Sequence, residues 1–160
     1  MSETTAHIAL AQFLKCAAGQ LPALSFVWHT ANESAGGPKA ANGIPLDVLR
    51  EARMGAAPGV WDWLTIGGNH HRIDGQGAYF FLGLAVELKS TKAYRSKDQG
   101  LSDAQKAWRS HYMRHGWHTA IYPEDRWHEA AQLFVKWVGG DVNDFRFYKG
   151  NADAFQGYLT

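Results

Sequence analysis

The sequence predicts an α/β domain, a small mixed β-sheet flanked by helices on both faces. Three observations carry this. Helical periodicity and short β-prone runs alternate, in the order helix, strand, helix, strand, strand, helix, strand, helix. One run, residues 78–90, is long and nearly all apolar, as a central strand covered on both faces must be. The helices also carry explicit start and stop residues, above all Ser102 with Gln105 three positions on, and Gly116.

In chain order, residues 2–18 form the first predicted helix, with Ser2 or Thr4 as its cap. Ile8, Leu10, Phe13 and Leu14 are its apolar stripe, and Gly19 and Pro22 end it. Residues 24–29 (Leu-Ser-Phe-Val-Trp-His) read as the first strand. Residues 30–45 are rich in Asn, Gly, Ala and Pro and read as a loop. A helix is predicted over 46–54, entered after Pro45 and closed by Gly55. Residues 60–66 are the second strand, 67–77 a glycine-rich polar turn and 78–90 the third strand. Residues 101–115 make a helix, 117–122 the fourth strand and 123–138 the last helix, which Gly139-Gly140 ends. The segment 141–160 holds Phe145, Phe147, Tyr148, Phe155 and Tyr158. So aromatic a segment is expected to pack on the domain or on a second subunit.

With 160 residues, one domain is expected, organised as residues 1–140 plus an extension, 141–160. A hydrophobic content of 46% with seven tryptophans argues against disorder. No apolar run approaches the roughly 20 residues of a membrane span. Met1-Ser2-Glu3-Thr4-Thr5 lacks the basic-then-apolar order of a signal peptide. Cys16 is the single cysteine, which excludes an internal disulfide and a cysteine-only zinc site, so a cytoplasmic setting is expected.

The net charge of +1 gives no overall sign of nucleic-acid binding, but its distribution does. Between residues 89 and 114, seven basic residues (Lys89, Lys92, Arg95, Lys97, Lys106, Arg109, Arg114) face two acidic ones, a local excess of +5. A solvated loop and helix face is one reading; contact with phosphates is the other.

That stretch begins at an acidic–x–basic triplet. Strand side chains two apart share a face, so Glu87 and Lys89 point the same way and Leu88 points into the core. Asp62 lies on the preceding strand. Two carboxylates and an ammonium suit a hard divalent cation. The plainer alternative is a surface ion pair on an edge strand. Gln105 has a plain alternative too, as a capping-box residue, and His29 and Asn32 as residues that fix a loop. His111, His115 and His118 have partial zinc-pair spacing, without a nearby cysteine or Glu to complete a signature. His70-His71 is expected in a polar turn.

Pro58-Gly59-Val60-x-Asp62, Glu87-Leu88-Lys89-Ser90, Leu101-Ser102-x-x-Gln105 and Gly116 together resemble the virus-type replication-repair nucleases (VRR-NUC), a branch of the PD-(D/E)xK superfamily. His29-Thr30-Ala31-Asn32 is similar to the His-x-Pro-Asn segment of small phage and bacterial members. The likeness runs over residues 3–122. It implies a restriction-endonuclease-like core and a Mg2+- or Mn2+-dependent endonuclease acting on branched or structured DNA in replication, repair or recombination. Asp62 and Glu87 are then metal-binding carboxylates, the Leu88 carbonyl a further ligand, and Lys89 the residue that orients water or stabilises phosphorane charge. Gln105 lies beside the catalytic groups. Glu3, the acidic residue of the first helix, is a candidate fourth ligand, with His7 where the family has glutamine. His29, Asn32, Lys92, Arg95, Lys97, Lys106 and Arg109 are DNA-contact candidates. Trp61 stands in place of a proline, and Trp61 and Trp63 are expected to line a stacking surface. The resemblance to small stand-alone members implies a homodimer. Two rivals remain: a non-catalytic DNA-binding accessory protein that keeps the fold, and a zinc-dependent structural protein using His111, His115 and His118.

Overall fold

The computed structural model describes residues 2–30, 60–72 and 78–145. The helix predicted over 46–54, residues 31–45 including Asn32, and the extension beyond Phe145 lie outside them.

Helix α1 spans Glu3–Ala17, and the Ser2 hydroxyl caps it by accepting from the Thr5 amide at 3.2 Å. Its buried face is Ala6, Ala9, Leu10, Phe13, Leu14 and Ala17, a spacing of three and four. Ile8, expected in that stripe, is 48% exposed. The first strand is also shorter than predicted. Pro22 opens a 3-10 turn over Pro22–Phe26, which leaves β1 as Val27–His29. Proline's fixed φ favours the turn over the strand that β-propensity suggests.

Strand β2 runs Trp63–Arg72 and β3 runs Ala78–Lys89. Much of the predicted polar turn is therefore strand, and His70 and His71 are ladder residues paired with Phe80 and Tyr79. The sequence disguises this because β2 is bulged. Ile66 faces Gly83 and Asn69 faces Phe81, so two residues oppose one. Gly67 at the bulge takes φ of 128°, where a Cβ is strained. Trp137 secures the bulge by donating from Nε1 to the Gly67 carbonyl at 3.2 Å.

Beyond β3 come α2 (Thr91–Tyr94), α3 (Asp103–Arg114), β4 (Trp117–Pro123) and, after a 3-10 turn over Glu124–Arg126, α4 (Trp127–Trp137). Helix α3 ends at Gly116, whose φ of 75° turns the chain into β4. The connection between β3 and α3, residues 91–100, thus contains a short helix capped by Ser90.

The described strands form one sheet in the order β1-β2-β3-β4. The β1-β2 and β2-β3 pairs are antiparallel and β3-β4 is parallel, so the sheet is mixed and β3 is interior. Alternation along β3 separates two cores. Leu84, Val86 and Leu88 join Trp63, α1 and α4 on one face, and Phe145 closes that core with its ring 5.9 Å from Phe13. Ala85 joins Leu64, Trp61, Leu101 and Tyr112 beneath α3 on the other. The predicted architecture is the observed one: an α/β domain with helices on both faces of a small mixed sheet.

Candidate functional site

The β2-β3 register sets Trp63 against Val86, so one step outward Asp62 lies opposite Glu87. The two carboxylates are tied crosswise through the backbone. The Asp62 amide donates to Glu87 Oε2 at 3.1 Å, and the Leu88 amide donates to Asp62 Oδ2 at 3.0 Å. Lys89, two residues along the same face of β3, places Nζ 2.7 Å from Glu87 Oε1. Asp62 is 3% exposed, Glu87 0% and Lys89 8%, which excludes the reading of Glu87 and Lys89 as a surface ion pair.

Burial pushes the Glu87 carboxyl above its ordinary pKa, against the opposing pull of Lys89 and the Asp62 amide. For Lys89, burial acts downward, but the carboxylates of Glu87, Asp62 and Glu3 outweigh it and the ammonium is held more firmly than usual. The positive charge is thus the fixed feature of the pair.

Gln105 bonds both to the start of its own helix and to Glu87. Its Oε1 accepts from the Ser102 amide at 3.0 Å while the Ser102 hydroxyl accepts from the Gln105 amide, a complete capping box. Its Nε2 donates to Glu87 Oε1. The backbone of the same residue is anchored by Trp61, whose Nε1 donates to the Gln105 carbonyl at 3.1 Å. Glu3, at the start of α1, is held rather than frayed: its Oε2 accepts from the Ser90 amide at 2.8 Å, directly after Lys89.

Two imidazoles lie beside Asp62, a grouping that sequence reasoning missed. His7 lies one turn along α1 from Glu3, and its Nε2 is 3.7 Å from Asp62 Oδ2. Its Nδ1 accepts from Trp63 Nε1 at 3.0 Å. Burial, then the charges of His29 and Lys89, lower the His7 pKa from 6.5 to about 4, so it is neutral at physiological pH. His29 at the end of β1 pairs with Trp63, and its ring is 5.1 Å from that of His7. One ligand atom each from His7, His29 and Asp62 lie within 4.8 Å of one another, close enough to hold a metal ion. The faint signal in sequence was the Glu3-x-x-x-His7 spacing on one helical face.

Other candidates separate. Trp61 is 0% and Trp63 4% exposed, so neither offers a stacking surface; both are core residues with satisfied indole N–H groups. Lys92, Arg95 and Lys97 are exposed on and after α2. Lys106 is engaged locally, 2.8 Å from Asp98 and 3.2 Å from Asp103. Arg109 is half-buried on α3. The rings of His111 and His115 lie 4.4 Å apart, but His118 turns to the opposite core against Phe81 and Trp137. Those three do not converge, which removes the basis for a structural zinc site there. Among the described residues, no helix is long and apolar enough to cross a membrane.

Comparison with known proteins yields little at the level of sequence: no family model and no curated protein matches the chain. Among solved structures it is similar to a chain described as a VRR_NUC domain protein, at 17% identity and a TM-score of 0.43, over 74% of this chain and 73% of that one.

Proposed function

We propose that this chain is a metal-dependent DNA endonuclease that hydrolyses phosphodiester bonds in branched or otherwise structured DNA. The observation that supports this reading is the meeting of Asp62, Glu87, Lys89 and Gln105 from β2, β3 and α3, with Glu3 at the edge. Buried charges at strand ends are costly to a fold, and such clusters concentrate at functional sites.

The donor set fits a hard divalent cation, Mg2+ or Mn2+. Asp62 and Glu87 supply carboxylate oxygens on facing strand positions, and Leu88 sends its amide toward Asp62. In an extended chain the N–H and C=O of one residue leave by the same edge, which puts the Leu88 carbonyl on Asp62's side as well. Glu3 is the further candidate. Such a cation, when bound, lowers the pKa of water and polarises a phosphoryl oxygen. Lys89 contributes a positive charge in a site shielded from solvent, where it stabilises the developing negative charge on phosphorus-bound oxygens. Gln105 is a positioning residue, since its amide fixes the Glu87 carboxylate. Lys92, Arg95 and Lys97 flank the cluster as backbone contacts, with His29, Asn32, Lys106 and Arg109 as further candidates for DNA contact. A homodimer, with part of its interface from residues 141–160, would present two such sites to a branched substrate.

The test is cleavage of labelled single strands, duplexes, flaps and four-way junctions with Mg2+, Mn2+ or chelator. Cutting is expected with metal and absent with chelator, Asp62→Ala or Lys89→Ala. Cleavage that survives either substitution sinks the site assignment. Binding of DNA without any cleavage favours the accessory-protein reading. Light scattering that returns the mass of one chain disposes of the dimer.

A further inference from the structure

The imidazole pair beside Asp62 is not needed by an all-oxygen Mg2+ site. We propose that His7, His29 and Asp62 form a binding site for a borderline first-row divalent ion of the Co2+ and Zn2+ class. The site borders the carboxylate cluster and shares Asp62 with it. This goes beyond the nuclease reading, because the binding holds whether or not the protein cleaves DNA.

Imidazole nitrogen favours first-row transition ions and zinc, whereas Mg2+ takes oxygen. Two imidazoles and one carboxylate, from α1, β1 and the residue that precedes β2, offer ligand atoms within 4.8 Å of one another. Ligand atoms around one such ion, at about 2.0–2.2 Å from it, stand roughly 3–3.5 Å apart. The required closure is thus small, and His29 can supply it, being exposed at the last position of β1.

The surroundings also define what must change. Trp63 donates to His7 Nδ1, which leaves the proton of the neutral ring on Nε2, the nitrogen that faces Asp62. Coordination through Nε2 moves that proton to Nδ1, and the Trp63 N–H must then release the ring. Trp63 thus holds His7 in the form that suits the ion-free protein. Its indole, 4.7 Å from the His29 ring, reports on binding.

The experiment uses the full chain stripped of metal with a chelator and titrated with Co2+, read by visible absorption, and with Mg2+, read by calorimetry. Wild type is expected to show the stronger d–d bands of nitrogen-containing coordination at one equivalent. His29→Gln, a change at an exposed position, is expected to weaken Co2+ binding by about 10-fold or more, with Mg2+ affinity within about twofold. His7→Gln is expected to do the same and to abolish the indole fluorescence change. Unaltered Co2+ affinity and spectrum in His29→Gln, or an all-oxygen spectrum in wild type, overturns the proposal. Glu87→Gln separates the two readings: it is expected to stop cleavage and to leave the nitrogen-ligated spectrum in place. A protein with that spectrum but without nuclease activity retains this site and loses only the proposed function.

Discussion

Asp62 and Glu87 each hold the other's strand: Glu87 Oε2 accepts from the Asp62 amide at 3.1 Å, and Asp62 Oδ2 accepts from the Leu88 amide at 3.0 Å. The two acids replace ladder hydrogen bonds at the point where β2 and β3 part. The pair is therefore structural as well as chemical. A substitution that removes a carboxylate here also leaves a buried amide without an acceptor, which costs about 1–3 kcal/mol. Asn and Gln, which keep an acceptor oxygen, are the replacements that separate chemistry from folding.

Lys89→Met removes the cation from Glu87, 2.7 Å away, and leaves a buried carboxylate. Stability is expected to fall by about 3–5 kcal/mol near neutral pH. Because burial raises the Glu87 pKa, the ionised form is the one the fold disfavours, so the loss grows as pH rises and shrinks as pH falls. Adding Glu87→Gln to Lys89→Met should restore much of the loss. Urea titrations of wild type and the two variants at pH 5 and 8 check this.

Gln105→Glu separates the two jobs of Gln105. Glutamate completes a capping box as well as glutamine does, so a residue that only caps would tolerate the change. Here it sets a second carboxylate against Glu87, and stability should fall further than in Gln105→Ala, which loses the side-chain bonds to the Ser102 amide and to Glu87 but keeps the Ser102 cap. Acid should relieve the difference, since protonating either carboxyl removes the repulsion. Thermal melts between pH 4.5 and 7.5 read the crossover.

His7 sets an acid limit on stability. Its folded-state pKa lies below the ordinary value, at about 4 against 6.5, so the fold prefers the neutral ring. The stability it contributes is present in full above pH 6.5 and is lost as pH falls toward 4, by up to roughly 3 kcal/mol. His7→Gln should flatten the stability profile across that window and leave its shape above pH 7 unaltered. Denaturant midpoints at pH 7.5, 6 and 4.5 decide it.

The basic segment should act through salt-dependent attraction to phosphates. Replacing Lys92, Arg95 and Lys97 together with Gln is expected to weaken DNA binding for every sequence alike. On duplex DNA it should also reduce the slope of log K against log salt by about 0.9 for each phosphate that these side chains neutralise. Lys106→Gln should do less, because that ammonium already bridges Asp98 and Asp103. Anisotropy titrations from low to moderate salt measure both slopes.

How much of this was legible depends on the range over which each feature is encoded. The strand placement of Glu87 and Lys89 follows from a period of two over adjacent residues, and their shared face can be read without a structure. Ser102 and Gln105 lie three apart, so their cap is equally local. The bulge at Gly67 defeats such reading: it breaks the period within β2 and makes a strand look like a turn. Trp61 and Trp63 misled for a related reason, because an aromatic beside an acidic residue reads alike whether it faces solvent or a helix that packs on it.

The sequence by itself determined the α/β architecture, the shared face of Glu87 and Lys89 and the capped helix behind them, since these depend on local periodicity and short-range hydrogen bonding. Tertiary structure alone decided that His7 meets Asp62 across a separation of 55 residues and that Gln105 reaches Glu87 while still capping its helix. Those meetings depend on how α1 and α3 dock on opposite faces of the sheet. Docking is fixed by the summed burial of Ala6, Leu10, Phe13, Trp61 and Tyr112 among many partners, not by any pattern within one segment.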